Sequence, residues 1–197
     1  MTELMAELRL LRPTRELLPG YVAALSRGWS ADNVRGAAAA AEDLGQIARD
    51  ADAFVALQDD RDARGAPIAM PDGSLVPRLP GYRRWLWDGE FCGAIGFRWQ
   101  PGTSALPGYT LGHIGYSVVP WKQRRGYATR ALGLLLREVR GEGLDHVDIT
   151  TDPENVASQK VILANGGRLV GPFRRVPAFG DDGVHLLYRI ELEARRP

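Results

Sequence analysis

The sequence predicts one α/β domain of the α+β type, a mixed, mostly antiparallel sheet of about six or seven strands flanked by helices. Three observations carry that expectation. Residues 83–99 hold two aromatic, alternating runs on either side of Asp88-Gly89, the pattern of a β-hairpin. Residues 113–139 read as a strand, a stop at Pro120, a glycine-containing turn and an amphipathic helix. Residues 146–164 repeat the strand-then-helix order, and two further strand-like runs follow. At 197 residues the chain suits a single domain spanning 1–197, and two full domains would be a squeeze.

Composition narrows the class. Apolar residues make up 45% and charged residues 25%, ordinary for a water-soluble globular protein. A net charge of +1 gives no general pull towards nucleic acid or an anionic membrane, so neither is expected as a partner. The single cysteine, Cys92, rules out an internal disulfide and a cysteine-based metal cluster, and no metal site is expected. The first residues are charged throughout and lack the apolar core of a secretory signal. No apolar run approaches a membrane span, and the expectation is a cytoplasmic protein.

The elements follow in order. Residues 7–12 alternate as a first strand ended by Pro13, and Thr14 offers an N-cap for a helix through Leu25, with Pro19 breaking or restarting it. Residues 32–59 are alanine-rich and helical, with Gly36 and Gly45 as expected interruptions. Residues 60–80 read as a long surface loop. In the hairpin, Asp88-Gly89 favours a type I′ turn; strand alternation puts Phe91, Ile95, Phe97 and Trp99 on one face and Cys92, a buried structural thiol, on the other. Residues 100–109 form a loop able to border a cleft. Residues 113–119 make the central strand, and Ala128, Ala131, Leu132, Leu135, Leu136 and Val139 mark the buried face of the helix that follows. Residues 146–151 form the next strand with Val147 and Ile149 inward; a helix over 156–164 stops at Asn165-Gly166-Gly167, and residues 168–173 pair with 185–192 across a turn at 180–183.

The stretch Gln123-Arg124-Arg125-Gly126-Tyr127-Ala128 carries the chemistry. A glycine-containing turn opening a helix presents unpaired N–H groups and a positive dipole end, which suits a phosphate. Taken alone, it also reads as a plain strand-to-helix turn with a solvated basic pair. Followed at the right distance by a second strand and by DPENVASQKVILANGG, it resembles the GNAT superfamily of N-acetyltransferases, whose pyrophosphate loop has the form Q/R-x-x-G-x-G/A. The resemblance is close over about 77–192 and thin before.

The resemblance implies acetyl-CoA as co-substrate, no metal, and a sheet in which two adjacent parallel strands, 113–119 and 146–151, splay apart around the pantetheine. It implies that the backbones of Val118 and Val119 pair with the pantetheine amides, and that Gln123, Arg124, Arg125, Gly126, Tyr127, Ala128 and Thr129 hold the pyrophosphate. Asn155, with Ser158 on the same side of the helix entrance, is either an N-cap, a pantetheine contact, or both. Many members carry a tyrosine seven positions after this Asn as the acid for the thiolate; here that position is Ile162. Either bulk water or another group fills the role, and the candidates by position are His113 and Tyr116 on the central strand, Glu90 at the hairpin and Tyr188 on the late strand. His113 has a suitable ordinary pKa near 6.5, and a structural imidazole is its competing reading. The expected activity is transfer of acetyl to a primary amine, small molecule or peptide, in a ternary complex; a CoA-binding sensor without catalysis is the alternative, and a homodimer is possible. Arg78 to Arg84, the 100–109 loop and the late ribbon are the expected acceptor wall. A P-loop phosphotransferase is disfavoured because GxxxxGK(S/T) is absent, and a Rossmann enzyme because no GxGxxG follows an early strand.

Overall fold

The computed structural model describes residues 7–174 and 183–192. A five-stranded sheet forms the centre: β1 (Arg9–Leu11), β5 (Gly81–Trp87), β6 (Phe91–Arg98) and β7 (Ile114–Val118) lie in that order, with the short β2 (Asp59–Asp60) also pairing with β5. A second sheet holds β8 (His146–Thr151), β10 (Val184–Glu191) and β9 (Arg168–Arg174) in that order. Every ladder is antiparallel. The expected splay is present as a seam: β7 and β8 share no ladder, and one bridge of antiparallel type, Gly112 with Ile149, joins their ends. The expected 180–183 turn lies outside the described residues except for Gly183.

Helices cover both faces of the first sheet. On one side, α4 (Tyr127–Val139) buries Ala131, Leu132, Leu135 and Val139 completely against Leu86, Ile95 and Phe97. Each such leucine contributes about 1.5–3 kcal/mol of transfer free energy. Ala128, expected on that face, is only half-buried, and Tyr127 takes the place at the helix entrance. On the other side, α1 (Leu18–Ser26), α2 (Ala37–Arg49) and α3 (Ala51–Ala56) pack an aromatic cluster of Tyr21, Trp29, Phe54, Trp85 and Phe91. The Tyr21 and Trp85 rings stack at 5.0 Å. A last helix, α5 (Val156–Ala164), follows β8.

Several local expectations change for identifiable reasons. Thr14 is not the cap of α1: the helix begins at Leu18 without a side-chain cap, and Pro19 sits in its first turn, where its missing N–H costs nothing. Gly45 lies inside an uninterrupted α2; the break falls at Asp50, whose carboxylate caps α3 by accepting from Ala53 N–H at 2.9 Å. The 60–80 segment contains a small hairpin of β3 (Ile68–Ala69) and β4 (Leu75–Val76).

The β5–β6 turn is not type I′. That turn needs a left-handed backbone at both central residues, and Gly89 has it (φ 110°) whereas Asp88 does not. The hairpin carries a bulge instead: Leu86 faces Gly93 and Trp87 faces Phe91, leaving Cys92 as the extra residue. One extra residue reverses side-chain alternation. Phe91 therefore joins Trp85 and Tyr21 on the α1 side, while Cys92 joins Ile95 and Phe97 on the α4 side, opposite to the expected assignment of each. Gly93 (φ 149°) is the residue the bulge requires, because a Cβ there would stand 2.2 Å from Ser117 O and 2.9 Å from Val118 Cα.

Candidate functional site

A cleft of about 1330 Å³ runs from the entrance of α4 along the free edge of β7 and under α2. Hydrogen-bond alternation makes that edge. His113 O accepts from Arg98 N–H at 2.9 Å and Val119 N–H donates to Cys92 O at 2.9 Å, so the odd-numbered residues of β7 face β6. Ile114, Tyr116 and Val118 consequently turn their N–H and C=O groups away from β6, into the seam. Val118 O accepts from the Gln123 side chain at 3.3 Å and Tyr116 O from Asn33 Nδ2 at 2.9 Å.

This alternation corrects one expectation. Val119 cannot pair with a ligand in the seam: its N–H is taken by Cys92, its carbonyl accepts from Lys122 N–H at 3.0 Å, and its side chain is fully buried in the α1-side core. Val118 stays on the open edge and lines the cleft.

The turn into α4 is held from below. A short 3-10 turn, Pro120–Lys122, places Lys122 Nζ 2.6 Å from Asp88 Oδ1, and Tyr127 Oη donates to Asp88 Oδ2 at 2.5 Å. Burial alone pushes the Asp88 carboxyl up, but these hydrogen bonds outweigh it and hold it at about 2. Above this clamp, Arg124 (φ 60°) and Gly126 (φ 74°) are both left-handed, and α4 starts with no side-chain cap and no acidic residue in its first turn. The first intrahelical bond is Arg130 N–H to Gly126 O, so the N–H groups of Tyr127, Ala128 and Thr129 have no carbonyl of their own helix. Gln123, Arg124, Gly126, Tyr127, Ala128 and Thr129 all line the cleft; Arg125 does not, and is exposed outside it.

Across the seam, Asn155 Oδ1 accepts from Ser158 N–H at 3.0 Å and so caps α5. Ser158 Oγ in turn lies 2.7 Å from Tyr116 Oη, and the two hydroxyls span the seam between β7 and α5. Burial raises the Tyr116 pKa, against the effect of Ser158, so the phenol is a proton-holding group in the cleft.

Of the four candidates for proton transfer, only Tyr116 lines the cleft. His113 is fully buried, stacked on Phe97 at 6.4 Å, and its Nδ1 accepts from Asp148 N–H at 2.9 Å. Burial, with His146 and Arg98, lowers it to about 4 against the pull of Asp148. A buried neutral imidazole whose Nδ1 lone pair is already used has no path to an attacking amine. Glu90 sits at the hairpin tip, its side chain 80% exposed and 3.2 Å from Lys122 Nζ, and does not line the cleft. Tyr188 is buried, with its hydroxyl on Gln159 Oε1 at 3.3 Å, and Ile162 is fully buried in the core. Cys92 is no nucleophile: burial pushes its thiol up to about 12.

The far end of the cleft holds residues that sequence reasoning passed over: Asp32, Asn33, Glu42 and Asp43 from the α2 region, and Arg98 on β6. Arg83, within the expected wall, joins them. Asp43 accepts from Tyr21 Oη at 2.5 Å, and burial raises its carboxyl despite that bond. From the 100–109 loop only Tyr109 reaches the cleft, and from the late ribbon only His185 among the described residues. Alternation along β5 and β6 puts Arg83 and Arg98 on the face away from α4, a signal that by itself reads as a solvated surface.

A family model described as an acetyltransferase (GNAT) domain matches residues 38–168. Three solved structures share the fold. The microcin C7 self-immunity acetyltransferase MccE, in complex with acetyl-CoA and AMP, superposes with a TM-score of 0.61 at 15% identity, over 94% of this chain and 92% of that one. RimL, a ribosomal L7/L12 α-N-protein acetyltransferase in complex with coenzyme A, gives 0.57 at 14% identity over 95% of each chain. A ribosomal-protein-S5-alanine acetyltransferase from Vibrio fischeri gives 0.55 at 15% identity, over 96% of this chain and 94% of that one. At these identities the likeness is one of fold. No curated protein sequence matches the chain.

Proposed function

Because the chain belongs to the GNAT acetyltransferase family, its domain matching residues 38–168, we propose that it is an acetyl-CoA-dependent N-acetyltransferase acting on a primary amine by direct transfer in a ternary complex. The observation that supports this most strongly is continuity. Unpaired N–H groups at the start of α4 lead into the edge of β7 that no strand covers, within one cleft. The first feature fits a pyrophosphate and the second fits the amides of an extended arm, whose hydrogen bonds would replace those of a neighbouring strand. Acetyl-CoA supplies the activated thioester.

The residues of this chain divide the remaining work. The N–H groups of residues 127–129 and the left-handed turn at Arg124 and Gly126 bind and orient the diphosphate end. The Tyr116–Ser158 hydroxyl pair holds a proton at the seam, available to a departing thiolate. Asp43, a cleft carboxyl with a raised pKa, is the group suited to take a proton from an arriving ammonium.

The test is acetyl transfer from labelled acetyl-CoA to a panel of amines, alongside the rise in Tm caused by CoA. Gly126→Val should remove most of that rise, because a β-branched residue is strained at φ 74° and its side chain meets the approaching diphosphate. A CoA response equal to that of the parent would refute the placement of the loop. A second reading, a CoA-binding sensor, draws on the absence of a tyrosine at Ile162. Binding without transfer to any amine would select it.

A further inference from the structure

On the face of the first sheet that looks towards α2, two long cations stand over a floor without side chains. Register places Arg83 opposite Gly96, and Gly96 opposite Gly115, so all three share that face, and Arg98 follows two residues after Gly96 on the same strand. A Cβ added at Gly96 would meet nothing nearer than Tyr82 O at 3.8 Å, and one at Gly115 would meet first the Arg98 Nη2 at 3.6 Å. The two glycines thus leave a hollow bordered by guanidinium groups, and Arg83, Arg98, Gly96 and Gly115 all line the cleft.

The carboxylates nearby already have partners. Asp32 Oδ1 accepts from the N–H groups of Val34 at 2.8 Å and Arg35 at 2.9 Å; Glu42 pairs with Arg35, and Asp43 with Tyr21. Arg83 donates to Gln58 Oε1 at 3.2 Å and forms no ion-pair contact among the described residues, although its charge acts on Asp43 and Tyr21 beside it. Arg98 has neither a hydrogen bond nor an ion pair for its guanidinium among the described residues, and Asp32 acts on it only through space. Crowding by protein, together with Arg83, lowers its pKa, although its side chain opens to the cleft. A guanidinium exposed to the cleft and free of any carboxylate contact is open to an oxyanion, which its planar fork can grip with two hydrogen bonds.

We propose that the acceptor amine carries a carboxylate or phosphate, and that this oxyanion docks between Arg83 and Arg98 over Gly96 and Gly115. The inference rests on the acetyl-transfer reading for its use, but the pocket is an oxyanion site in either case. Asp43, in the same end of the cleft, then faces the ammonium of the same molecule.

The test uses the full chain and amine pairs differing in one anionic group: O-phosphoethanolamine with ethanolamine, and β-alanine with β-alaninamide. Initial rates with acetyl-CoA give kcat/KM, and calorimetry with CoA present gives binding without turnover. The expected result is a preference of ~10-fold or more for the anionic member of at least one pair, the scale of one charge-assisted contact. The two pairs distinguish phosphate from carboxylate. Arg98→Gln should bring the anionic member down to its neutral congener, Arg98→Lys should keep an intermediate preference, and both should keep the CoA-induced rise in Tm. If CoA binds but no amine is acetylated, the transfer reading falls and calorimetry alone decides on the pocket. No anionic preference in either readout for either pair, or the same preference in Arg98→Gln and Arg83→Gln as in the parent, overturns the proposal.

Discussion

Replacing His113 by asparagine separates a structural imidazole from a catalytic one. In the folded protein the ring is fully buried and neutral, and Nδ1 accepts from Asp148 N–H. Asparagine offers its Oδ1 to the same N–H but does not titrate, so it isolates the proton from the hydrogen bond. Burial lowers the folded pKa from 6.5 to about 4. A group with a depressed folded pKa that is a base contributes stability in full above the unfolded value and loses it as pH falls through the folded one. Below pH 6.5 the unfolded chain binds the proton and the native state does not, so stability declines until about pH 4. That interval corresponds to about 3 kcal/mol at most. Urea unfolding of parent and variant from pH 7.5 to 4 measures it. The variant should lose about 1–3 kcal/mol at neutral pH from the smaller side chain, and the gap should close as pH falls because only the parent pays for a buried proton site. Acetyl transfer at pH 7.5 should stay within about threefold of the parent, since an ordinary general base would be worth 10²-fold or more. Parallel stability curves across the interval, or loss of turnover in a folded variant, would refute this account and return His113 to proton transfer.

Two further outcomes follow from the same geometry. Asn155→Ala removes the α5 cap and should cost about 0.5–2 kcal/mol by thermal or urea unfolding; if Asn155 also touches the pantetheine, calorimetry on the folded variant will show weaker CoA binding. Lys122→Met removes the cation beside the Asp88 carboxylate, whose side chain is only 11% exposed, and should cost roughly 3 kcal/mol of unfolding free energy measured in urea, part of which Asp88→Asn in the same chain restores.

What could be read from residues alone depended on how local the cause was. The α4 entrance was legible because a left-handed glycine and the i, i+3, i+4 apolar spacing act within one turn, and Asn155 because a cap needs only three residues. The bulge at Cys92 was not, since one unpaired residue depends on how β6 meets β5, and it moved Phe91 and Cys92 to the wrong faces. Val119 was misplaced by the same limit: which edge of a strand faces its neighbour depends on register. His113 carried the right chemistry in the wrong environment, as burial is a tertiary property. Arg83 and Arg98 alternate like surface charges and become cleft residues only because α2 roofs them.

The contact at Gly93 also makes the two borders of the seam mechanically unequal. With Ser117 O so close that a methyl group would stand 2.2 Å away, β7 is clamped to β6 and cannot be pushed sideways without breaking its ladder with that strand. On the other border, β8 belongs to a separate sheet and meets the β7 side through one backbone bridge at Gly112 with His113 N–H to Asp148 O at 2.7 Å, supported by Asp148 N–H to His113 Nδ1, Thr150 Oγ1–H to Leu111 O and, from α5, the Ser158–Tyr116 hydroxyl pair. Any molecule wedged into the opening therefore presses against a fixed rail on one side and a yielding one on the other. The load falls first on the few bonds at Gly112 and His113, while Val147, Ile149, Tyr188 and Ile190 remain anchored in the core shared with α4.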